Sequence, residues 1–198
     1  MSRRVVTDLT EKEIIRLCKE GDRDAFNELF EKYENRVINI AYGMLSDRDD
    51  ACDAAQEVFI KVYRNISLFR ENSLLSTWIY RITSNVCNDI LRKRQRSANT
   101  ISINAALDDD GRTKELPDSA PLPEEFAEHN EAQRAVRKAI SELSDEYREI
   151  ITLCDIEDMS YDDIANVLNC PVGTVKSRLN RARKSLRKIL SDSRELFL

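Results

Sequence analysis

The sequence contains few glycine, proline or aromatic residues, and this scarcity limits the fold classes open to it. Its 198 residues include four glycines and four prolines, and aromatic side chains make up 7% of the chain. Folds built from many short strands need frequent turns, which glycine and proline favour. No strand-like alternation of useful length occurs either. We therefore expect an all-α fold.

Long apolar stretches are missing as well. No run of 18 apolar residues occurs, so we expect no direct insertion into a membrane. The first eight residues, MSRRVVTD, lack the apolar region of a secretory signal. Both absences favour the cytoplasm as the compartment in which the protein acts.

The side chains that build most enzyme sites are scarce or scattered. Cys154 and Cys170, the closest two of the five cysteines, are 16 residues apart, so no close pair suits zinc or redox chemistry. Their apolar helical surroundings predict reduced core residues. The only histidine, His129, has no nucleophile motif near it, and the glycines are too scattered for a phosphate-binding loop. We expect no enzyme activity, no catalytic residue, no metal and no cofactor.

Charge is unevenly distributed along this chain, whose net charge is -5. Segment 171–188 contains seven basic and no acidic residues, and segment 76–96 contains five basic residues and one acidic residue. Segment 108–128, which lies between them, holds eight acidic and two basic residues. Because lysine and arginine neutralise phosphates, two basic segments in an acidic protein predict two contacts with nucleic acid.

Helical periodicity divides the chain into two parts. Apolar residues recur at helical spacing over residues 10–95, and the same pattern returns from Glu131. The segment between them lacks this pattern and contains eight acidic residues, one glycine and three of the four prolines. We predict two small helical domains, over residues 1–96 and 131–198, joined by a flexible acidic linker at 97–130.

The second part ends in the pattern of a helix-turn-helix. Ser160 opens a short helix, Asn169 and Pro171 end it, and a second helix begins near Val172. The candidate DNA contacts lie opposite the apolar stripe of this second helix and are Lys176, Ser177, Asn180, Arg181 and Lys184. Such residues neutralise phosphates and bond base edges. A solvated basic face on an ordinary helical hairpin is the alternative.

This helix also resembles a known family. Residues 170–179, CPVGTVKSRL, followed by RAR at 181–183, resemble region four of extracytoplasmic-function (ECF) sigma factors. In that family the corresponding helix enters the major groove of the minus-thirty-five promoter element. The resemblance therefore implies that the five candidate DNA contacts bind this element.

The first part resembles region two of the same family. Residues 53–63, DAAQEVFIKVY, are similar to the helix that grips the clamp helices of the largest catalytic subunit of the polymerase. The resemblance implies polymerase contacts by Asp53, Gln56, Glu57, Phe59 and Lys61. Periodicity alone favours a core position for Phe59 and a solvated face for the charged residues.

The segment 69–82, FRENSLLSTWIYRI, resembles the promoter-melting part of region two, although relatives often have glycine near Glu71 and an aromatic residue near Leu75. The expected buried stripe of the following helix consists of Ile79, Ile82, Val86 and Ile90. A second stripe lies roughly 130° away around the helix. This stripe and one loop residue give the candidate minus-ten contacts, which are Ser73, Trp78, Arg81, Asn85, Asn88 and Arg92. Such groups can stack on bases and bind phosphates, although Trp78 alone is more typical of a core residue.

These resemblances imply a sigma factor that binds core RNA polymerase and promoter DNA and promotes DNA melting. They also imply an anti-sigma partner, which could be anchored in the membrane. The alternative is a stand-alone helix-turn-helix regulator whose first domain senses a ligand or dimerises. This alternative leaves the stripe that contains Trp78 and Asn85 unexplained.

Overall fold

The computed structural model describes residues 10–71, 73–105 and 127–195. These residues form eight α-helices and no strand, which confirms the all-α prediction. The helices are α1 (Glu11–Lys19), α2 (Arg23–Leu45), α3 (Arg48–Asn65), α4 (Leu75–Ala105), α5 (Ala127–Ser141), α6 (Asp145–Ile151), α7 (Tyr161–Leu168) and α8 (Val172–Glu195). A 3-10 turn (Ile66–Leu68) follows α3, and a π-helical turn (Thr152–Ile156) follows α6.

Side-chain caps fix where the first helices begin. The Asp22 carboxylate accepts hydrogen bonds of 2.9 and 3.0 Å from backbone N–H groups in the first turn of α2. Asp47 accepts a comparable bond of 2.9 Å at the start of α3. In the capping box of α1, the Glu13 carboxylate accepts from the Thr10 backbone N–H at 2.9 Å. Each bond satisfies a group that has no partner at a helix terminus.

Helices α1–α4 form the first bundle. Helix α2 packs against α1, α3 and α4, and its apolar side supplies the centre of the core. The residues at this centre are almost completely inaccessible to solvent and include Leu29, Val37, Ile40, Val58, Val62 and Ile79. The apolar periodicity over residues 10–95 therefore marks a real core.

Helix α4 is longer than the periodicity predicts. The apolar periodicity of the first part ends at residue 95, but α4 continues to Ala105, and α5 begins at Ala127. Both helices extend into the segment 97–130, and residues 106–126 of that segment lie outside the described residues. Apolar periodicity reports burial, whereas polar residues such as Arg94 and Gln95 continue a helix by intrinsic propensity.

Helices α5–α8 form the second bundle, which contains the predicted helix-turn-helix. Asn169 ends α7 in the left-handed conformation, with φ of 49°. The Pro171 carbonyl then accepts from the N–H groups of Thr174 at 2.8 Å and Val175 at 3.2 Å, which starts α8. Asn169 and Pro171 thus form the tight turn between α7 and α8.

The two bundles pack directly against each other. Helix α4 lies against α7, and α2 lies against α6 and the π-helical turn. A Cβ atom on Gly43 of α2 would lie 2.5 Å from Cγ2 of Thr152, so this close approach requires a glycine. Buried side chains from both bundles form one continuous core.

All five cysteines are free, but the predicted core position is confirmed only for Cys18 and Cys87, because Cys52, Cys154 and Cys170 are half-buried. Burial raises the pKa of Cys18 to about 11 and that of Cys87 to about 12, so both thiols stay protonated and unreactive. Within the described ranges, no group of histidine, cysteine and acidic side chains is arranged to hold a metal ion. No described helix has the length and apolar character needed to cross a membrane.

Candidate nucleic-acid interface

The five candidate contacts on α8 share one exposed face. Val175, Leu179 and Ala182 are buried on the opposite side and hold the helix against its own bundle. The exposed residues are Lys176, Ser177, Asn180, Arg181 and Lys184. The Ser177 hydroxyl donates to the Thr174 carbonyl at 3.0 Å, whereas the other four side chains make no hydrogen bond or ion pair with a described residue. Four side chains are therefore available to an external ligand.

Two other basic residues of α8 have partners within the bundle. Arg178 Nε lies 2.5 Å from Glu146 Oε1 of α6. Arg183 contacts both carboxylate oxygens of Asp155, at 2.5 and 3.1 Å, and this hydrogen bonding raises its pKa. These arginines fix α8 to α6 and to the π-helical turn, so the charge available to a ligand is smaller than the seven basic residues suggest.

The candidate contacts on α4 differ in exposure. Arg81, Asn85 and Arg92 are exposed, whereas Trp78 and Asn88 are half-buried. Ser73, in the loop before the helix, is also half-buried. The expected buried stripe is only partly confirmed, because Ile79 and Val86 are buried but Ile82 and Ile90 are half-buried. These two isoleucines lie at the border between the core and the exposed stripe.

A groove of about 360 Å³ lies between the end of α3, the 3-10 turn and α4. It is lined by Lys61, Asn65, Leu68, Trp78, Ile82 and Asn85. The Trp78 ring packs against Phe69 with ring centroids 5.2 Å apart, so the indole is held in place. The Asn85 amide makes no hydrogen bond to another described residue. Apolar walls with a free amide suit a flat base that offers a polar edge.

The rest of the α4 face contacts the second bundle. The Asn88 amide donates to Glu149 Oε1 of α6 at 3.1 Å, and the Ser84 hydroxyl donates to the same oxygen. Arg81 donates to the backbone carbonyl of Asn166 in α7. Of the residues predicted to face DNA, Asn85 is open to solvent, whereas Asn88 and Arg81 have partners inside the protein.

Glu149 and Ser84 are functional candidates that sequence reasoning missed. The Glu149 residue is 7% exposed, and burial raises its pKa, although the hydrogen bonds from Ser84 and Asn88 partly oppose this rise. Ser84 and Asn88 are 65 and 61 residues away in sequence, so no local pattern reveals the pairing. The one sequence signal that could point to Glu149 is the position of this acidic residue directly before the apolar pair at 150–151.

The predicted polymerase face on α3 is largely polar and exposed. Asp53, Gln56 and Glu57 are open to solvent. Lys61 is half-buried, and its Nζ pairs with Glu57 Oε1 at 2.8 Å along the same helix. Because such a pair on a helix surface contributes only a few tenths of a kcal/mol, about 0.3–0.5, a partner can replace it at little cost.

Phe59, from which we expect a direct polymerase contact, lies beneath this exposed face. Phe59 is 5% exposed, and its ring centroid lies 4.6 Å from that of Phe30, so it is a core residue. Ile60 and Tyr63 are instead 51% and 50% exposed on the same helix. Helical period identifies a buried stripe but places its border poorly, so it does not show that Ile60 and Tyr63 are exposed.

Both parts of the chain match a family model. Residues 29–97 match Sigma-70 region 2, and residues 133–186 match Sigma-70, region 4. The ECF RNA polymerase sigma factor SigW of Bacillus subtilis (strain 168) is 36% identical over 181 residues, which cover 91% of this chain and 97% of that protein. The chain belongs to the ECF sigma-factor family.

Other relatives agree with this assignment. The ECF RNA polymerase sigma-E factor of Escherichia coli (strain K12) is 34% identical over 182 residues, covering 90% of this chain and 93% of that protein. Among solved structures, the sigma factor RpoE of Bartonella quintana, in complex with the anti-sigma factor NepR, is 25% identical with a TM-score of 0.63. That match covers 84% of this chain and 96% of RpoE. CnrH in complex with the cytosolic domain of CnrY shares the fold, with a TM-score of 0.65 at 22% identity and coverage of 90% and 96%.

The region boundaries account for both basic segments. The region 2 match contains the exposed α3 face and most of α4, and the region 4 match contains α7 and the exposed face of α8. The alternative of a stand-alone regulator receives no support, because it assigns no role to the first match. The resemblance deduced from the sequence is therefore confirmed.

Proposed function

We propose that the chain is a transcription initiation factor that binds core RNA polymerase and directs it to promoters with two DNA elements. The observation that carries the proposal is the position of two exposed polar faces. One lies on α4 within the region 2 match, and the other lies on α8 within the region 4 match. A chain with two separate DNA-binding faces suits a promoter with two elements.

The α8 face would bind the minus-thirty-five element. An α-helix with its side chains is about 10–12 Å wide and fits a major groove that is about 12 Å wide. Lys176, Arg181 and Lys184 would bind phosphates or guanine edges, and Asn180 would bond a base edge. The Ser177 hydroxyl can still accept a hydrogen bond while it donates to Thr174.

The α4 face would bind the melted minus-ten element. Trp78 and Asn85 line the groove that would receive an unstacked base, with the indole as a wall and the amide at the base edge. Arg81, Asn88 and Arg92 would contact the strand along α4, and Ser73 would contact it from the loop. The contact between Arg92 and Asp89, at 3.4 Å, is exposed and would yield to a phosphate.

The α3 face would bind the polymerase. Asp53, Gln56, Glu57 and Lys61 supply a polar rim. The exposed side chains of Ile60 and Tyr63 supply an apolar centre, which is the arrangement common in protein–protein interfaces. In this proposal Phe59 supports the face from beneath through its contact with Phe30.

The partners and the setting follow from this role. The polymerase supplies the catalysis, so the chain needs no enzyme activity and no cofactor of its own. Since bacterial polymerase and promoter DNA occur in the cytoplasm, the chain acts there. RpoE of Bartonella quintana was solved with an anti-sigma factor, and we extend that kind of partner to this chain.

Selection from a promoter library tests the proposal. Duplex DNA with two randomised elements would be incubated with the chain alone, with core polymerase alone and with both together. We expect sequence-specific enrichment only with both, and the enriched DNA should contain two elements at a fixed spacing. Nanomolar, sequence-specific binding by the chain alone would contradict the proposal and favour the stand-alone regulator.

A further inference from the structure

The loop between the 3-10 turn and α4 holds one residue in an unusual backbone conformation. We call residues 69–74 the α4 loop, of which the structure describes 69–71 and 73–74. Glu71 has φ of 56°, in the left-handed region that few residues other than glycine, asparagine and aspartate adopt. Such a conformation persists only where surrounding contacts hold it. The source of those contacts on Glu71 is therefore informative.

Lys19, in the last turn of α1, contacts the α4 loop at two places. Its Nζ donates to Glu71 Oε1 at 2.7 Å. The same Nζ lies 5.8 Å from the centroid of the Phe69 ring, within the range of a cation–π contact. The Lys19 side chain is only 28% exposed, so little of it is available to an external ligand. One ammonium group thus holds two residues of the loop.

Helix α1 is a firm support for this contact. Its apolar side is buried in the first bundle, and it packs against both α2 and the 3-10 turn that leads into the loop. Near its start, the Glu11 carboxylate accepts from Lys32 Nζ at 2.6 Å and from the Tyr33 hydroxyl at 3.0 Å. The Lys19 ammonium is therefore presented by a helix that is fixed along its length.

The α4 loop leads directly to the proposed minus-ten face. Phe69 is 4% exposed and packs against Trp78, with ring centroids 5.2 Å apart. Ser73 lies at the other end of the loop, next to Leu74, whose side chain is 61% exposed. The Leu74 carbonyl accepts from the Trp78 N–H at 3.2 Å in the first turn of α4. The path of the loop therefore sets where Ser73 and the Trp78 ring stand in relation to a DNA strand.

We propose that Lys19 is a positioning residue for minus-ten recognition, which acts through Glu71 and Phe69 to hold the α4 loop in its DNA-binding conformation. The inference rests on the proposed function of the α4 face. Lys19 itself does not touch DNA. Its loss lets Glu71 relax toward negative φ, which displaces Ser73 and loosens the support beneath Trp78. Because loops are among the least stable parts of a fold, an ion pair too weak to matter for folding can still decide the conformation of a loop.

Exchange of the two charges tests the inference in the full-length protein. Lys19→Glu places two carboxylates side by side, and Lys19→Glu/Glu71→Lys restores an ion pair of reversed polarity. Lys19→Arg keeps a cation at the same place. The matched control is Lys32→Ala, which removes the 2.6 Å pair with Glu11 and a cation–π contact of 5.4 Å with Tyr33, away from the α4 loop. The Tyr33 hydroxyl still donates to Glu11 in this control, so α1 stays in place.

Promoter opening by each variant with core polymerase is the readout. A panel of duplex promoters with single-base changes through the minus-ten element would be footprinted with permanganate, and a pull-down would measure polymerase binding. We expect Lys19→Glu to reduce opening severalfold and to flatten the base preference within the element, with polymerase binding unchanged. The exchanged pair should recover much of that preference, and Lys19→Arg and Lys32→Ala should keep it.

Several results would overturn the inference and leave the proposed function intact. These are wild-type base preference in the Lys19→Glu variant, no recovery by the exchanged pair, and loss of polymerase binding, which would assign Lys19 to the fold. An equal loss of opening on every sequence would also overturn it, because that is the result expected for a lost phosphate contact. If the wild type opens no promoter with core polymerase, the proposed function fails and the inference fails with it.

Discussion

Arg36 of α2 donates two hydrogen bonds to Glu157, which directly follows the π-helical turn. Its Nε lies 3.0 Å from the carboxylate Oε2, and its Nη2 lies 2.7 Å from the backbone oxygen. The Glu157 side chain is only 6% exposed, whereas that of Arg36 is 48% exposed. Arg36 also lies 5.8 Å from the centroid of the Tyr80 ring of α4. One arginine thus joins two helices of the first bundle to the second bundle.

Replacing Arg36 should weaken the packing of the first bundle against the second. Arg36→Ala leaves the buried Glu157 carboxylate without its cation, which should cost about 1–3 kcal/mol of packing free energy. Hydrogen exchange of the polymerase-free protein should then become faster in residues 152–157. The control is Arg16→Ala, which breaks an exposed pair with Glu20 on α1 and should leave this segment unchanged. Equal exchange in both variants would show that Arg36 does not hold the bundles together.

The sequence predicts correctly which side chains are buried or exposed where one helix alone determines their positions. The buried positions Val175 and Leu179 and the exposed positions Lys176 and Asn180 follow from the helical period alone. The turn at Asn169 was predictable as well, because asparagine tolerates the left-handed conformation that it adopts there.

It failed where two distant segments meet. The period correctly favours a core position for Phe59, but it does not show that Tyr63 on the same helix is exposed. It also could not reveal that Asn88 bonds to Glu149, since that pairing depends on how the two bundles pack. Side chains near a border, and contacts between distant segments, need tertiary structure.

The α8 face should determine recognition of the upstream element. Lys176→Ala and Arg181→Ala should weaken that recognition without reducing polymerase binding, because both side chains are exposed and unpaired among the described residues. A base-reading contact should cost about 1–3 kcal/mol at its own position, whereas a phosphate contact should weaken all sequences alike. Transcription from a panel of upstream-element variants, with a polymerase pull-down, separates the two roles.

Arg183→Ala is the matched comparison on the same helix. The Arg183 side chain pairs with Asp155 and is not available to DNA, so loss of this side chain should leave base preference unchanged. If the Lys176 and Arg181 variants also keep wild-type activity and preference, α8 does not read DNA.

Asn85 should act in promoter opening. Asn85→Ala removes an exposed amide with little packing, so the fold and polymerase binding should survive. Unstacking a base costs a few kcal/mol, and the lost contacts would have offset part of that cost. Activity should fall on duplex promoter and recover on DNA already mismatched through the minus-ten element, with permanganate footprinting of the opened strand as the measurement.

Asn35→Ala, at an exposed asparagine of α2, controls for the loss of an amide and should open promoters normally. Wild-type opening by the Asn85 variant would refute the assignment of Asn85. Loss of polymerase binding by that variant would show that Asn85 supports the fold.

Acid should favour the packing of the two bundles against each other. Burial raises the pKa of Glu149 above its ordinary value of 4.5, and the nearby charge of Glu146 raises it further. Hydrogen bonds from Ser84 and Asn88, together with the charge of Arg178, lower this pKa and only partly oppose the rise. Above the raised pKa, the ionised Glu149 carboxylate destabilises the packing of the bundles. This free-energy cost disappears as the pH falls from the raised pKa toward 4.5. Small-angle scattering should show the free protein becoming more compact over that interval. Glu149→Gln should remove this step, and an unchanged step in that variant would assign it to another group.

Run-off transcription tests the central claim most directly. Core polymerase, with and without the purified chain, would transcribe templates selected from the promoter library, and the 5′ ends of the transcripts would be mapped. We predict that transcripts start at a fixed distance downstream of the two elements only when the chain is present, and that Asn85→Ala reduces them on duplex templates. The same start sites and yields with core polymerase alone would contradict the assignment of this chain as an initiation factor.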